Sequence, residues 1–248
     1  RFVWDENERY LRESGGFHFW KRLILSHLRL WDFEAAARPD ALIANSEYTK
    51  RRIEKYYRRP SEVVYPLVRA FASTERAALD VRDRPFVTVS RLSKYKHTES
   101  VVRAFAKLEL PLLVTPTARE SERLRRVAPP NVRFLGDVSD NEVGTAFGKA
   151  RAFVFAGEED FGLALAEAHM AGLPAITLAS GGAREIVEEN VSGVFFAEPD
   201  AKNVFEAVRR YIEQESSFDR ESIRNRAKRF SEERFREGMT GAIRRVVG

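Results

Sequence analysis

Three groups of residues are equipped for chemistry. The first is Ser90-Arg91-Leu92-Ser93-Lys94-Tyr95-Lys96, which follows a short apolar run. Arg91 offers a planar fork suited to bidentate phosphate contacts, and Lys96 adds a mobile point charge. A solvated basic loop would have the same composition. The second runs from Gly157 through Glu158, Glu159, Asp160, Phe161, Gly162 and Leu163 to Glu167. Gly162 opens a predicted helix where free backbone N–H groups and the helix dipole favour an anion. The carboxylates ahead of it suit hydroxyl groups, as in a sugar, and equally suit ordinary capping of a helix start. Glu159 and Glu167 are eight positions apart, about 12 Å if both lie on one helix. At that distance they cannot share a proton, but they can hold two hydroxyl-rich ends of one elongated ligand. Glu167 stands among Leu163, Leu165, Ala166, Ala168 and Met170. So apolar a setting demands a partner for its carboxylate, either a buried arginine or a ribose diol. The third group is Ala179-Ser180-Gly181-Gly182-Ala183-Arg184-Glu185, a small-residue turn that lets backbone approach a ligand.

The elements that position these groups alternate regularly. From Pro85, apolar runs at 86–89, 112–114, 132–135, 152–155, 175–178 and 193–196 read as strands. Between and after them, helices are predicted at 98–108, 118–127, 140–150, 161–172, 183–189 and 201–213. Short apolar strands joined by helical crossovers make a doubly wound parallel sheet. Such sheets bind ligands outside the carboxyl ends of their strands, and all three groups follow strands directly. Ahead of this domain, 17–37 reads as an amphipathic helix with Trp20, Leu23, Ile24, Leu28 and Trp31 on one stripe. That stripe is expected to be core; the alternative is a membrane-facing patch flanked by Lys21, Arg22 and Arg29. Residues 40–46 and 63–65 read as short strands and 48–57 as a helix. The expected organisation is a first domain at 1–66, a linker at 67–84, a doubly wound ligand-binding domain at 85–215, and basic helices at 216–248.

Composition narrows the function classes. The absence of cysteine excludes a disulfide scaffold, a thiolate metal site and a cysteine nucleophile. None of His18, His27, His97 and His169 has metal-ligand spacing. His97 follows Lys96 and is within reach of a phosphate or simply on the surface; His169 is expected to be packed. The net charge of +5 suits anionic partners. The basic residues are dispersed over several helices, which argues against a nucleic-acid face. No window is apolar enough to span a membrane. The expectation is a cytoplasmic protein with peripheral contact to the inner membrane face.

In this order the motifs resemble the retaining glycosyltransferases of family four, which have the GT-B fold. The residues are Ser90-Arg91-Leu92 with Lys96, Asn131 to Val138, Glu159-Asp160-Phe161-Gly162 with Glu167-Ala168, Gly181-Gly182-Ala183-Arg184-Glu185, Gly193-Val194, and Phe230 to Phe235. The resemblance covers nearly the whole chain. It implies that Arg91 and Lys96 hold the donor diphosphate and stabilise the leaving group, and that Glu159 binds the donor sugar. It further implies that the Phe161-Gly162-Leu163 backbone meets sugar and phosphate, that Glu167 binds the ribose, and that Val138 lines the base. No metal and no cofactor are implied beyond the donor itself, a GDP- or UDP-sugar. The expected acceptor is a glycan or a lipid-linked acceptor. Residues 1–65 resemble the second half of the amino-terminal domain in the mannosyltransferase-like group, with GDP-mannose as the expected donor. A histidine-bearing segment precedes the match to Arg1–Asp5 in that group, so upstream sequence is expected. Val114 to Arg119 departs from the group's usual Gly-x-Gly-Pro turn. A non-catalytic nucleotide-sugar-binding module, or one chain of a split transferase, remains the alternative.

Overall fold

The computed structural model describes residues 3–5, 18–71, 83–89, 96–115, 124–126, 128–136 and 138–248. The chain forms two compact units: residues 1–64 with 239–248, and residues 65–238.

The larger unit is built on a six-stranded sheet. Its strands are β3 (Phe86–Val89), β4 (Leu112–Thr115), β5 (Val132–Phe134), β6 (Phe153–Phe155), β7 (Ala175–Leu178) and β8 (Gly193–Phe196). All neighbours are parallel, in the order β5-β4-β3-β6-β7-β8. The chain builds outward from β3 in one direction and then returns to build outward from β6 in the other. The topological switch point therefore falls between β3 and β6, where a doubly wound sheet opens a crevice at its carboxyl edge. Alternating residues of each strand face opposite sides. Phe86 and Val154 join one core with α3 (Thr98–Leu108) and α7 (Ala201–Glu213). Val87, Phe153 and Phe155 join the other with α4 (Asp140–Lys149) and α5 (Leu163–Met170). Both faces are covered, which is why the strands read as unbroken apolar runs.

Local signals set the helix ends. Ser139 and Glu142 form a reciprocal capping box at the start of α4, and Asp200 caps α7. α6 is a single turn, Ala183–Ile186, shorter than the predicted 183–189. The predicted helix at 161–172 is also shorter, because Gly162 takes a left-handed conformation (φ 104°) and Phe161 is drawn into the core. Glu159 consequently lies on the loop before α5, so the helical separation from Glu167 does not apply. Most of the predicted helix at 118–127 and of the predicted linker lie outside the described residues. α8 (Arg220–Ala227) follows in the larger unit, and α9 (Glu232–Val247) contributes its last residues to the smaller one.

In the smaller unit, α1 (His18–Ala36) precedes a two-stranded parallel sheet of β1 (Ile43–Ala44) and β2 (Glu62–Val63). α2 (Glu47–Tyr57) connects the strands, capped by Ser46, whose hydroxyl accepts the Thr49 N–H at 2.9 Å. The aromatic stripe of α1 is not core. Leu25 is buried, but Trp20, Leu23, Ile24 and Trp31 are exposed. The pattern of a helix face shows that it is apolar, not that anything in this unit covers it.

Candidate functional site

Because every strand of the large sheet is parallel, the loops after β3, β5, β6 and β7 emerge at one edge. Ser90 to Tyr95, including Arg91, lie outside the described residues. Lys96 begins the description again and is largely buried, although it carries a charge. Its ammonium forms an ion pair with Glu159 and sits 5.4 Å from the centre of the Phe155 ring, the last residue of β6. The loops on the two sides of the switch point are thus joined by a cation and a carboxylate over an aromatic floor.

Gly157 makes this closeness possible. A β-carbon there would lie 2.9 Å from the Phe155 ring and 3.0 Å from the Lys96 α-carbon. Gly181 and Gly182 do similar work. A β-carbon at Gly181 would lie 2.2 Å from the Glu159 carbonyl oxygen, and one at Gly182 would lie 2.2 Å from that of Phe161. The Gly182 N–H donates to the Glu159 carbonyl at 2.9 Å, and the Ser180 hydroxyl donates to Glu158. The Gly-Gly turn also lies close against the backbone of the Glu159–Phe161 loop and fixes that loop's course.

Phe161 is buried against Phe230 and Tyr65, at ring separations of 5.2 and 5.9 Å. This anchors the residue ahead of α5 and lets Gly162 begin the helix with no side-chain cap. Leu165 and Ala166 donate to the Gly162 carbonyl, leaving the N–H groups of Leu163 and Ala164 ahead of the first helical bonds. Leu163 itself is half exposed. Anion-favouring backbone therefore stands next to the Lys96–Glu159 pair in sequence and on the same sheet edge.

Glu167 lies one turn into α5. Burial pushes its carboxyl above the usual range, and the charge of Arg69 pulls it partly back. Arg69 is itself ion-paired with Asp140 at the start of α4. Both partners considered for this carboxylate, an arginine and a diol, keep a place in that geometry. Val138 is half-buried on the loop after β5, two strands from β3 on the same edge. Lys96, Glu159, Phe161 and Gly162 are thus brought together through contacts among three loops, while Glu167 and Val138 share the edge without joining that contact network.

His169, deeper in α5, is fully buried, and neither ring nitrogen has a well-formed hydrogen bond. Burial holds its imidazole down at about 3, with Arg229 adding to the effect, so it is a neutral core residue. His97 takes a left-handed conformation (φ 52°) at the start of α3. Sequence reasoning did not single out Phe155 or Arg69, and it named Gly157 and Ser180 only as members of longer motifs. Gly157 left a faint signal, a glycine two residues beyond a strand and just ahead of paired acids. Arg69 lies in a stretch without periodicity and left none. Among the described residues, no group of three or more histidine, aspartate and glutamate side chains is arranged to hold a metal ion.

Residues 72–230 match the family model described as glycosyl transferases group 1. A GDP-mannose-dependent alpha-mannosyltransferase of Corynebacterium glutamicum is 27% identical over 129 residues, 52% of this chain and 31% of that protein. A D-inositol 3-phosphate glycosyltransferase of Nocardioides sp. is 28% identical over 218 residues, 73% of this chain and 48% of that protein. The chain spans less than half the length of either curated relative. Among solved structures, sucrose-phosphate synthase from Thermosynechococcus elongatus superposes with a TM-score of 0.76 at 19% identity, covering 88% of this chain and 61% of that one. HepE of Anabaena, solved in complex with UDP-glucose, superposes with a TM-score of 0.72 at 19% identity, covering 87% of this chain and 66% of that one. At these identities the likeness is one of fold, the parallel-sheet α/β architecture of these GT-B proteins.

Proposed function

The chain belongs to the group 1 glycosyl transferases, and from that premise we propose that it binds a nucleotide-diphosphate sugar at the carboxyl edge of its large sheet. The reaction is transfer of the sugar to a glycan or lipid-linked acceptor with retention of anomeric configuration. The donor is GDP-mannose. The observation that carries this reading is the Lys96–Glu159 pair at the switch point, beside an α5 start that no side chain caps.

Without donor, the two charges neutralise each other, which keeps a buried ammonium tolerable. When donor enters, Lys96 turns to the diphosphate together with Arg91, and Glu159 accepts hydrogen bonds from the sugar hydroxyls. The N–H groups of Leu163 and Ala164 meet the phosphates or the sugar, Glu167 takes the ribose diol, and Val138 borders the base. A ribose donating to Glu167 relieves the desolvation that raises its carboxyl. Departure of the diphosphate concentrates negative charge beside Lys96. Cationic side chains already in place lower that barrier with little reorganisation and stand where a metal would otherwise be needed. The diphosphate then takes the acceptor proton on the same face, so no protein nucleophile is required.

The mannose and guanine assignments draw support from the relative that is named for GDP-mannose. HepE, by contrast, was solved with UDP-glucose. Calorimetric titration with GDP-mannose, UDP-glucose and an ADP-sugar tests the choice. GDP-mannose is expected to bind most tightly, in the presence of a chelator as well as without it. Preference for UDP-glucose would overturn the donor assignment, and dependence on a divalent ion would overturn the metal-independent mechanism. A second reading is a nucleotide-sugar-binding module, favoured by the placement of the whole described donor edge in one unit, residues 65–238. Transfer to an acceptor by this chain alone excludes that reading; donor binding without transfer supports it.

A further inference from the structure

Residues 67–84 read as a linker, because they carry many charges and no clear period. The stretch 65–71 indeed takes no helix or strand, yet it opens the larger unit and belongs to it. Its side chains are engaged along the sheet face that α4 and α5 cover. The Val68 N–H donates to the Phe230 carbonyl at 2.9 Å, and the Val68 side chain is buried in the core with Phe147, Phe153 and Phe161. The Phe71 ring lies 5.5 Å from that of Phe147. Gly144 on α4 makes room for it, since a β-carbon there would lie 2.8 Å from the Phe71 β-carbon. A stretch without ladder or helical hydrogen bonds is here held in place by side-chain contacts instead.

Two residues of this strap bear on the candidate donor residues. The Tyr65 ring packs against Phe161 and Phe230 at 5.9 and 5.2 Å, and those two rings are 5.2 Å from each other. Three rings in mutual contact fix Phe161, and Gly162 starts α5 directly after it. The Tyr65 hydroxyl donates to Glu185 at 3.1 Å, and Arg229 donates to the Glu185 carbonyl. Glu185 stands in α6, just past the glycine turn that holds the Glu159 loop. Tyr65 therefore grips the α5 start through Phe161 and the glycine turn through Glu185.

Four residues further on, Arg69 bears on the other end of the donor set. Its ion pair with Asp140, the first residue of α4, restrains where the guanidinium stands. From there its charge favours the ionised form of Glu167 against the burial that disfavours it. An ionised carboxylate is an acceptor at both oxygens, which is what the two hydroxyls of a ribose diol require; a protonated one turns one oxygen into a donor. The same short strap thus reaches the residue ahead of α5 and the carboxylate within it.

We propose that Tyr65 and Arg69 are positioning residues for the donor: Tyr65 sets the Phe161–Gly162 start of α5 for the diphosphate, and Arg69 steadies the Glu167 carboxylate for the ribose diol. The inference rests on the donor reading, and inorganic pyrophosphate, which has no ribose, separates the two roles. The test is calorimetric titration of the full chain and its variants with GDP and with pyrophosphate, alongside thermal melts. Arg69→Gln, at an exposed position, should weaken GDP by about threefold and leave pyrophosphate binding and the melt unchanged. Tyr65→Leu should weaken both ligands by about tenfold. Tyr65→Phe, which keeps the ring contacts, should recover most of the pyrophosphate affinity. The role of Arg69 is overturned if Arg69→Gln binds GDP as wild type does, or loses both ligands equally. The role of Tyr65 is overturned if folded Tyr65→Leu binds pyrophosphate as wild type does, or if Tyr65→Phe binds it no better than Tyr65→Leu. Arg69→Gln decides its own half even where Tyr65→Leu does not fold. Wild type binding neither ligand would instead overturn the donor reading, and the strap's role would fall with it.

Discussion

The larger unit holds two cation–carboxylate pairs of nearly the same construction at opposite edges of one sheet. At the carboxyl edge, Lys96 pairs with Glu159 above Phe155, the last residue of β6. At the amino edge, Arg151 pairs with Glu215, its guanidinium 5.1 Å from the ring centre of Phe86, the first residue of β3. Both cations are largely buried. They differ in the geometry of the charged group. Arg151 is bound bidentately, Nε at 3.2 Å and a terminal nitrogen at 2.5 Å, and its carbonyl accepts the Tyr211 hydroxyl at 2.8 Å. Lys96 offers a rotatable point charge between two loops, at the edge where the strand order reverses. A planar fork held bidentately on a carboxylate fixes structure; a rotatable ammonium can exchange one anion for another. The lesson is that burial and pairing alone do not mark a functional charge. What sets Lys96 apart is its place at the edge where the strand order reverses.

Three substitutions sharpen or break this contrast. Glu215→Ala should have the largest effect on folding, because it leaves a buried guanidinium uncompensated. A loss of about 3–5 kcal/mol is expected, measured by urea denaturation, with donor affinity of the folded fraction unchanged. Lys96→Ala should do the opposite, lowering transfer by about 10²–10³-fold while moving the melting temperature little. If Lys96→Ala unfolds the chain and Glu215→Ala does not, the assignment of the two pairs is reversed. Gly182→Ala puts a methyl against the Phe161 carbonyl oxygen. A destabilisation of about 1–3 kcal/mol is expected, together with weaker donor binding, because the Glu159 loop must shift. Unaltered calorimetric affinity in a stably folded Gly182→Ala would show that the turn does not set that loop.

The smallest effect is one of pH. The imidazole of His169 lies at about 3 in the fold against an ordinary value of 6.5. A depressed histidine contributes stability that is complete above the ordinary value and is lost as pH falls from there towards the folded value. Wild type should therefore lose stability between about pH 6.5 and about pH 3, and His169→Leu should lose less over the same window. Parallel urea midpoints for the two proteins would contradict this.

Much of the large unit was legible in the sequence. β3, α3, β7, β8 and α7 fall where the apolar runs and helical periods place them, because a sheet covered on both faces needs continuous apolar strands and α3 and α7 bury one side each. The candidate site at the carboxyl edge was legible in part, since Lys96 and Glu159 both follow strands that the topology makes neighbours. What could not be read was long-range. That Gly181 and Gly182 pack against the Glu159 and Phe161 carbonyls leaves no trace in the spacing of the turn. Arg69 reaches Glu167 from 98 positions away. On α1, the spacing shows an apolar face but carries no information about what lies opposite it, so the expectation of a buried stripe failed there.

The most direct test separates the two halves of the Lys96–Glu159 pair by ligand. GDP and GDP-mannose should be titrated calorimetrically into wild type, Lys96→Ala and Glu159→Ala. Lys96→Ala should weaken both ligands. Glu159→Ala should weaken GDP-mannose alone and leave GDP unchanged or tighter, because the ammonium is then released to the diphosphate. Equal loss of GDP in both variants, or no loss in either, would contradict the division of diphosphate and sugar between these two side chains.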